Sequence, residues 1–131
     1  GIPTVEAMAC GKPNVICNYT TSYEIVGADK PECPEEMLFP HGLEGDDNLI
    51  ETNRGFLVPY KDLMWDTPIR AAPMRALWDE HAAAKAFEHY YKNRDVLEEH
   101  SKNARTFAVK HYDWNKSIGP KWIDWLKTVK V

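Results

Sequence analysis

The chain has 131 residues, with 16 lysines and arginines against 20 aspartates and glutamates, for a net charge of −4. That length suits one ordinary domain or a large piece of a bigger one. The acidic balance argues against a nucleic-acid surface built on counterion release, and no apolar run is long enough to span a bilayer.

Cys10, Cys17 and Cys33 are an odd number with no C-x-x-C pair. Neither a disulfide framework nor a zinc knuckle is expected from them, and a reducing compartment is. In such a compartment the sequons Asn18-Tyr19-Thr20 and Asn115-Lys116-Ser117 are chance matches. The chain begins without a methionine and is expected to lack its true N-terminus.

The first element is a short helix. Pro3 suits a first helical turn, where its missing N–H costs nothing, and Gly11 before Lys12-Pro13 is a stop signal. Ile2, Val5, Met8 and Ala9 recur between them at helical spacing. The free N–H groups of such a helix start attract phosphate or sugar oxygens. Glu6, one turn further in, is either a solvated carboxylate offsetting the helix dipole or an acceptor for hydroxyl groups.

Pro13 to Asn18, PNVICN, has the form of a buried parallel strand. A hydroxyl-rich loop, Tyr19 to Ser22, follows, and Thr21 or Ser22 can cap a one-turn helix that Gly27 ends. Ala28 to Asn53 reads as an irregular acidic excursion, and Gly55 to Pro59 as a second short strand. Tyr60 to Pro73 again reads as irregular. The remainder is expected to be helical: Met74 to about Lys92, then Val96 to about His111 with Asp95 as N-cap, then Ser117 to Val129. Trp122 and Trp125, three apart, read as a packing stripe. His81, His89, His100 and His111 lack the i, i+4 pairing of a zinc site. Helix, strand, loop and short helix is the rhythm of a doubly wound α/β sheet, whose ligands sit outside the carboxyl ends of the strands.

GIPTVEAMACGKPNVICN resembles the donor-binding segment of retaining GT-B glycosyltransferases, particularly glycosyltransferase family 4, where E-G-F-G-L-P-x-x-E-A-M-A-C-G-x-P-V-I is typical. YEIVG is similar to that family's P-E-I-V-G turn, and RGFLVPYKD to its x-G-x-L-V-x-P-x-D strand. NRDVLEEHSKNARTFAVKHYDWNK is similar to its helix ending in F-S-W. The likeness covers the chain except Ala28 to Asn53 and Lys61 to Pro73, which are longer than the family usually has.

The resemblance implies an α/β fold: a partial Rossmann-like parallel sheet, the C-terminal half of a GT-B donor domain, followed by C-terminal helices. Residues 1–60 would be the Rossmann-like part with an irregular insertion at 28–53, residues 74–131 the helical part, and the N-terminal acceptor domain would lie outside this chain. It implies a retaining transferase using a UDP-, GDP- or ADP-sugar, with Glu6 on the ribose hydroxyls and the backbone at Gly1, Ile2 and Pro3 against the diphosphate and donor sugar. No catalytic residue and no metal or other cofactor is expected within the chain, which alone would be inactive. The expected partners are the nucleotide-sugar donor, an acceptor of unspecified type and the missing N-terminal domain, with no nucleic acid. The expected location is cytoplasmic, free or peripheral at a membrane surface. The last helix would pack across the domain boundary, leaving its apolar face exposed in this segment. The alternative is a non-catalytic interaction module on the same scaffold.

Overall fold

The computed structural model describes residues 1–27, 49–65 and 74–129. The chain is mixed α/β, with a three-stranded and a two-stranded sheet among the described residues. Helix α1 spans Ile2–Ala9 and strand β1 Asn14–Cys17, joined through Gly11 at φ 69°, a conformation glycine adopts without penalty. A wide helical turn, Tyr23–Gly27, follows. Strands β2 (Ile50–Thr52) and β3 (Gly55–Val58) form a hairpin whose turn is closed by Thr52 Oγ1 donating to Gly55 O at 3.0 Å.

β3 is the centre of the larger sheet, in order β1-β3-β2. It pairs parallel with β1, Asn14 opposite Gly55 and Cys17 opposite Val58, and antiparallel with β2. β2 thus departs from the wholly parallel sheet expected of the sequence. All four β3 residues are buried, as a central strand with helices on both faces requires. Leu57 packs with Met8, Ile25, Val26, Ala104, Phe107 and Ala108 on one face. Phe56 and Val58 point to the other, against Ala82, Ala83, Ala86 and Tyr90. Gly55 is required by close packing: a Cβ there would lie 2.3 Å from Asn14 O.

Three sequence expectations are overturned. Ile50–Thr52 is a strand within the segment 28–53 expected to be irregular, while 28–48 lies outside the described residues. Tyr60–Trp65, also expected to be irregular, is strand β4. It pairs antiparallel with β5, Met74–Trp78, the stretch expected to begin a helix. The short run MRALW satisfies helical spacing at Met74, Leu77 and Trp78, but so short a run does not distinguish helix from strand by periodicity, and its pairing with β4 prevails.

Helix α2 therefore begins later, at Glu80–Lys92, where the Asp79 side chain accepts from His81 N at 2.8 Å and Ala82 N at 2.9 Å. Those bonds, together with Lys61 and His81 nearby, hold the Asp79 carboxyl below its usual range. α2 buries Ala82, Ala83, Ala86 and Tyr90, leaving Phe87 and Tyr91 outward. Helix α3 is Arg94–Tyr112, so Asn93, not Asp95, is its N-cap residue. Its middle crosses the amino-terminal edge of the parallel pair: Asn103 Nδ2 donates to Asn53 O at 2.9 Å, and Arg105 donates to Ala9 O at the end of α1. A second wide turn, Trp114–Ile118, leads into α4, Gly119–Thr128, rather than a helix from Ser117.

Candidate functional site

With α3 across the amino-terminal edge, the opposite edge, where β1 and β3 end, is the side on which open α/β sheets bind ligands. α1 is tied to α3 at its last turn. Its eight residues rise about 12 Å, so its first residue points away from the amino-terminal edge that α3 crosses.

Gly1 caps α1 without a side-chain hydrogen bond; its carbonyl accepts from Thr4 N at 3.2 Å and Val5 N at 3.4 Å. Pro3 has no N–H to offer, so the open donors are the first two residues, Gly1 and Ile2, both exposed. Glu6 is exposed, and its carboxylate has no hydrogen-bond or ion-pair partner among the described residues. Being four residues after Ile2 and three after Pro3, it lies on the same face of the helix as both. Ile2, Pro3 and Glu6 are thus neighbours on the exposed side of α1, with Gly1 as the N-cap residue at its start. The arginine that does meet α1, Arg105, is at the other end on Ala9 O.

At the carboxyl edge, Asn18 N donates to Val58 O at 2.7 Å and Tyr19 N to Cys17 O at 2.8 Å, turning the chain sharply. Thr20 sits at φ 52°, unusual for a β-branched residue. Backbone strain of this kind clusters at functional sites. The Tyr19 and Tyr60 rings meet edge to face, centroids 5.8 Å apart. Burial, then Tyr19 and Cys17, push the Tyr60 phenol up, and burial pushes the Cys17 thiol up. Both groups are therefore neutral near pH 7, suited to hydrogen bonding and packing rather than nucleophilic attack. Tyr19 and Tyr60 were not singled out in the sequence. The signal available was the position of YTTS directly after a parallel strand, but Tyr60 required the β3–β4 connection to be known.

A second polar group lies on the sheet face covered by α2 and α3. His89 Nε2 and His100 Nε2 stand 3.8 and 3.7 Å from the same Glu51 oxygen, and Tyr90 Oη shares a 2.9 Å hydrogen bond with His100 Nδ1. Burial lowers the His100 pKa, outweighing the raising influence of Glu51 and Glu99. Burial and Glu51 hold the Tyr90 phenol far above its usual value. Among the described residues no group of three His, Cys, Asp or Glu side chains is arranged to hold a metal ion, and no helix is long and apolar enough to cross a membrane.

The Trp122 and Trp125 rings meet edge to face at 5.5 Å. Each is more than half exposed, as are Ile123 and Leu126. The pair read as a packing stripe is therefore a surface feature, and the apolar face of α4 is open. No protein-family model matches the chain, and neither the curated proteins nor the solved structures searched contain a significant match.

Proposed function

We propose that the chain is the donor-binding part of a retaining glycosyltransferase of GT-B architecture, moving a sugar from a UDP-, GDP- or ADP-sugar to an acceptor held by a further N-terminal domain. The observation that carries this reading is the Gly1 to Asn18 unit. Its sequence resembles the family's donor segment, and it folds as helix, glycine turn and parallel strand, with the Glu6 carboxylate unpartnered one turn from the open N–H groups of Gly1 and Ile2. Helices on both faces of the β1–β3 pair support a Rossmann-like half-domain as the finer fold.

The chemistry follows from those groups. A helix start suits an anionic diphosphate, and a carboxylate suits the vicinal hydroxyls of a ribose. The Tyr19 and Tyr60 rings offer apolar surface to a flat base. Transfer requires stabilising the charge on the departing nucleoside diphosphate. In this reading cations outside the chain supply that stabilisation, without a metal, and the chain alone binds donor but does not transfer.

Calorimetric titration of UDP, GDP and ADP tests the reading. One nucleotide is expected to bind, and Glu6→Ala is expected to weaken it by one to two orders of magnitude, roughly the worth of two charge-assisted hydrogen bonds. Equal affinity in wild type and variant would overturn the assignment of Glu6. The open apolar face of α4 favours a second reading, a non-catalytic interaction module. Partner binding by the full-length protein without donor hydrolysis or transfer would select it.

A further inference from the structure

A groove of about 410 Å³ opens between the Lys12-Pro13 turn and the facing sides of α2 and α3. This volume falls within the range of small-molecule sites. Its position is at the start of β1, next to the edge crossed by α3, and it shares no residue with the α1 face or the carboxyl edge. Tyr90, Leu97 and Phe87 line it, with Tyr91, Lys12 and Arg94 at its exposed margin.

Two features of the groove go against the general character of the molecule. α2 turns Ala82, Ala83, Ala86 and Tyr90 inward and leaves Phe87 56% and Tyr91 74% exposed, four residues apart on one face. Large rings left in water on a helix that buries other side chains in the core are surface available to another ring. Secondly, the chain carries net charge −4, yet Lys12 and Arg94 have no carboxylate partner among the described residues. The nearby acids Glu88 and Glu98 are occupied by Lys92 and Lys102. Asp95 follows Arg94 on the helix and so projects about 100° away from it. The Arg94 guanidinium lies 5.6 Å from the centre of the Tyr91 ring, so cation and ring face the same space.

We propose that this groove binds a small aromatic anion: a flat ring carrying a carboxylate or a phosphate. The ring lies against Phe87 and Tyr91, in the offset or edge-on contact aromatic pairs prefer. The anionic group is held between Lys12 and Arg94, the latter by paired N–H donors. Neither half suffices alone, since two exposed cations hold a bare anion weakly in water and an open apolar wall discriminates little among rings.

The probe is phenyl phosphate, titrated into the full chain and followed residue by residue by ¹⁵N NMR, with inorganic phosphate and phenol as controls. Saturable shifts are expected at Lys12, Tyr91 and Arg94, with either control binding at least about tenfold more weakly. Lys12→Ala with Arg94→Ala is expected to weaken phenyl phosphate by about a hundredfold, one decade for each cation. Phe87→Ser should bring phenyl phosphate down to the affinity of inorganic phosphate. All three side chains are exposed, and the same spectra show whether the variants stay folded. Phenol binding as well as phenyl phosphate, or phenyl phosphate shifts confined to residues outside the groove, would overturn the proposal. So would saturation by an acidic tyrosine-containing peptide with no response to phenyl phosphate, which would identify a protein partner.

Discussion

Tyr90 on α2 and His100 on α3 share a 2.9 Å hydrogen bond inside the packed layer that covers the sheet, and the Nε2 on the far side of the His100 ring looks toward Glu51 on β2. Two consecutive helices and a strand that lies well before them in sequence are thereby joined through one imidazole. Because burial lowers the His100 pKa, the folded state favours the neutral ring, whereas the unfolded chain takes up a proton at the ordinary value of about 6.5. Between the depressed folded pKa and about 6.5 the unfolded state therefore binds more protons, and stability rises with pH. The contribution is complete above that window and is lost as pH falls through it. The expected slope is at most about 1.4 kcal/mol per pH unit for one proton. Urea unfolding at several pH values checks it, and His100→Gln should flatten the dependence. A wild-type stability that falls as pH rises across this window would contradict the burial of a neutral His100.

The same pair sets the cost of removing the hydroxyl. Tyr90→Phe keeps the ring against Phe56, whose centroid is 4.9 Å away, but leaves Nδ1 of a nearly buried histidine without its partner. The expected destabilisation is about 1–3 kcal/mol. Combining Tyr90→Phe with His100→Leu should cost less than the sum of the single changes, because the orphaned nitrogen is then gone. Additive costs in that double-mutant cycle would show that the hydrogen bond does not couple the two helices.

Gly55 tests the parallel pairing. A Cβ at this position would lie 2.3 Å from Asn14 O and 2.9 Å from a Val26 methyl, between a strand backbone and the core. Neither neighbour is a flexible side-chain end, so Gly55→Ala should push β1 away from β3 and cost at least about 3 kcal/mol, the upper part of the range for overpacked cores. Chemical denaturation measures it. Destabilisation below about 1 kcal/mol would mean that β1 does not sit against Gly55 in this register.

The elements that sequence made legible are those whose signals are local. α1 was marked by Pro3 and Gly11 and β1 by the run PNVICN, while α3 showed its buried face at Ala104, Phe107 and Ala108. The hairpin β4–β5 was not legible because pairing is a property of two segments. MRALW carries helix-compatible spacing, and nothing within it announces Tyr60–Trp65 as its partner. The start of α2 is written in Asp79, a good N-cap residue, but the helix-compatible spacing that runs from Met74 masks it. For the candidate site, the proximity of Gly1, Ile2, Pro3 and Glu6 is legible because they lie within the first turns of one helix. Tyr19 with Tyr60, and Glu51 with His89 and His100, depend on strand order and helix packing, which single-segment patterns do not contain.

The last helix gives a prediction in which stability and surface behaviour separate. Trp122, Ile123, Trp125 and Leu126 are each more than half exposed, and α4 is held mainly by its own turn and by the preceding Trp114–Ile118 segment. A contiguous apolar patch of this kind drives association whenever a complementary surface is present, and in a dilute solution of the chain alone that surface is another copy. Little of the patch is buried within the chain. Trp122→Gln with Leu126→Gln should therefore leave the unfolding free energy within about 0.5 kcal/mol of wild type while reducing concentration-dependent self-association. Urea denaturation at low concentration reads the first quantity and sedimentation velocity over a range of concentrations the second. If the double variant instead lost more than about 1 kcal/mol of stability, α4 would be contributing its tryptophans to the chain's own core, and the surface described here would not be open in solution.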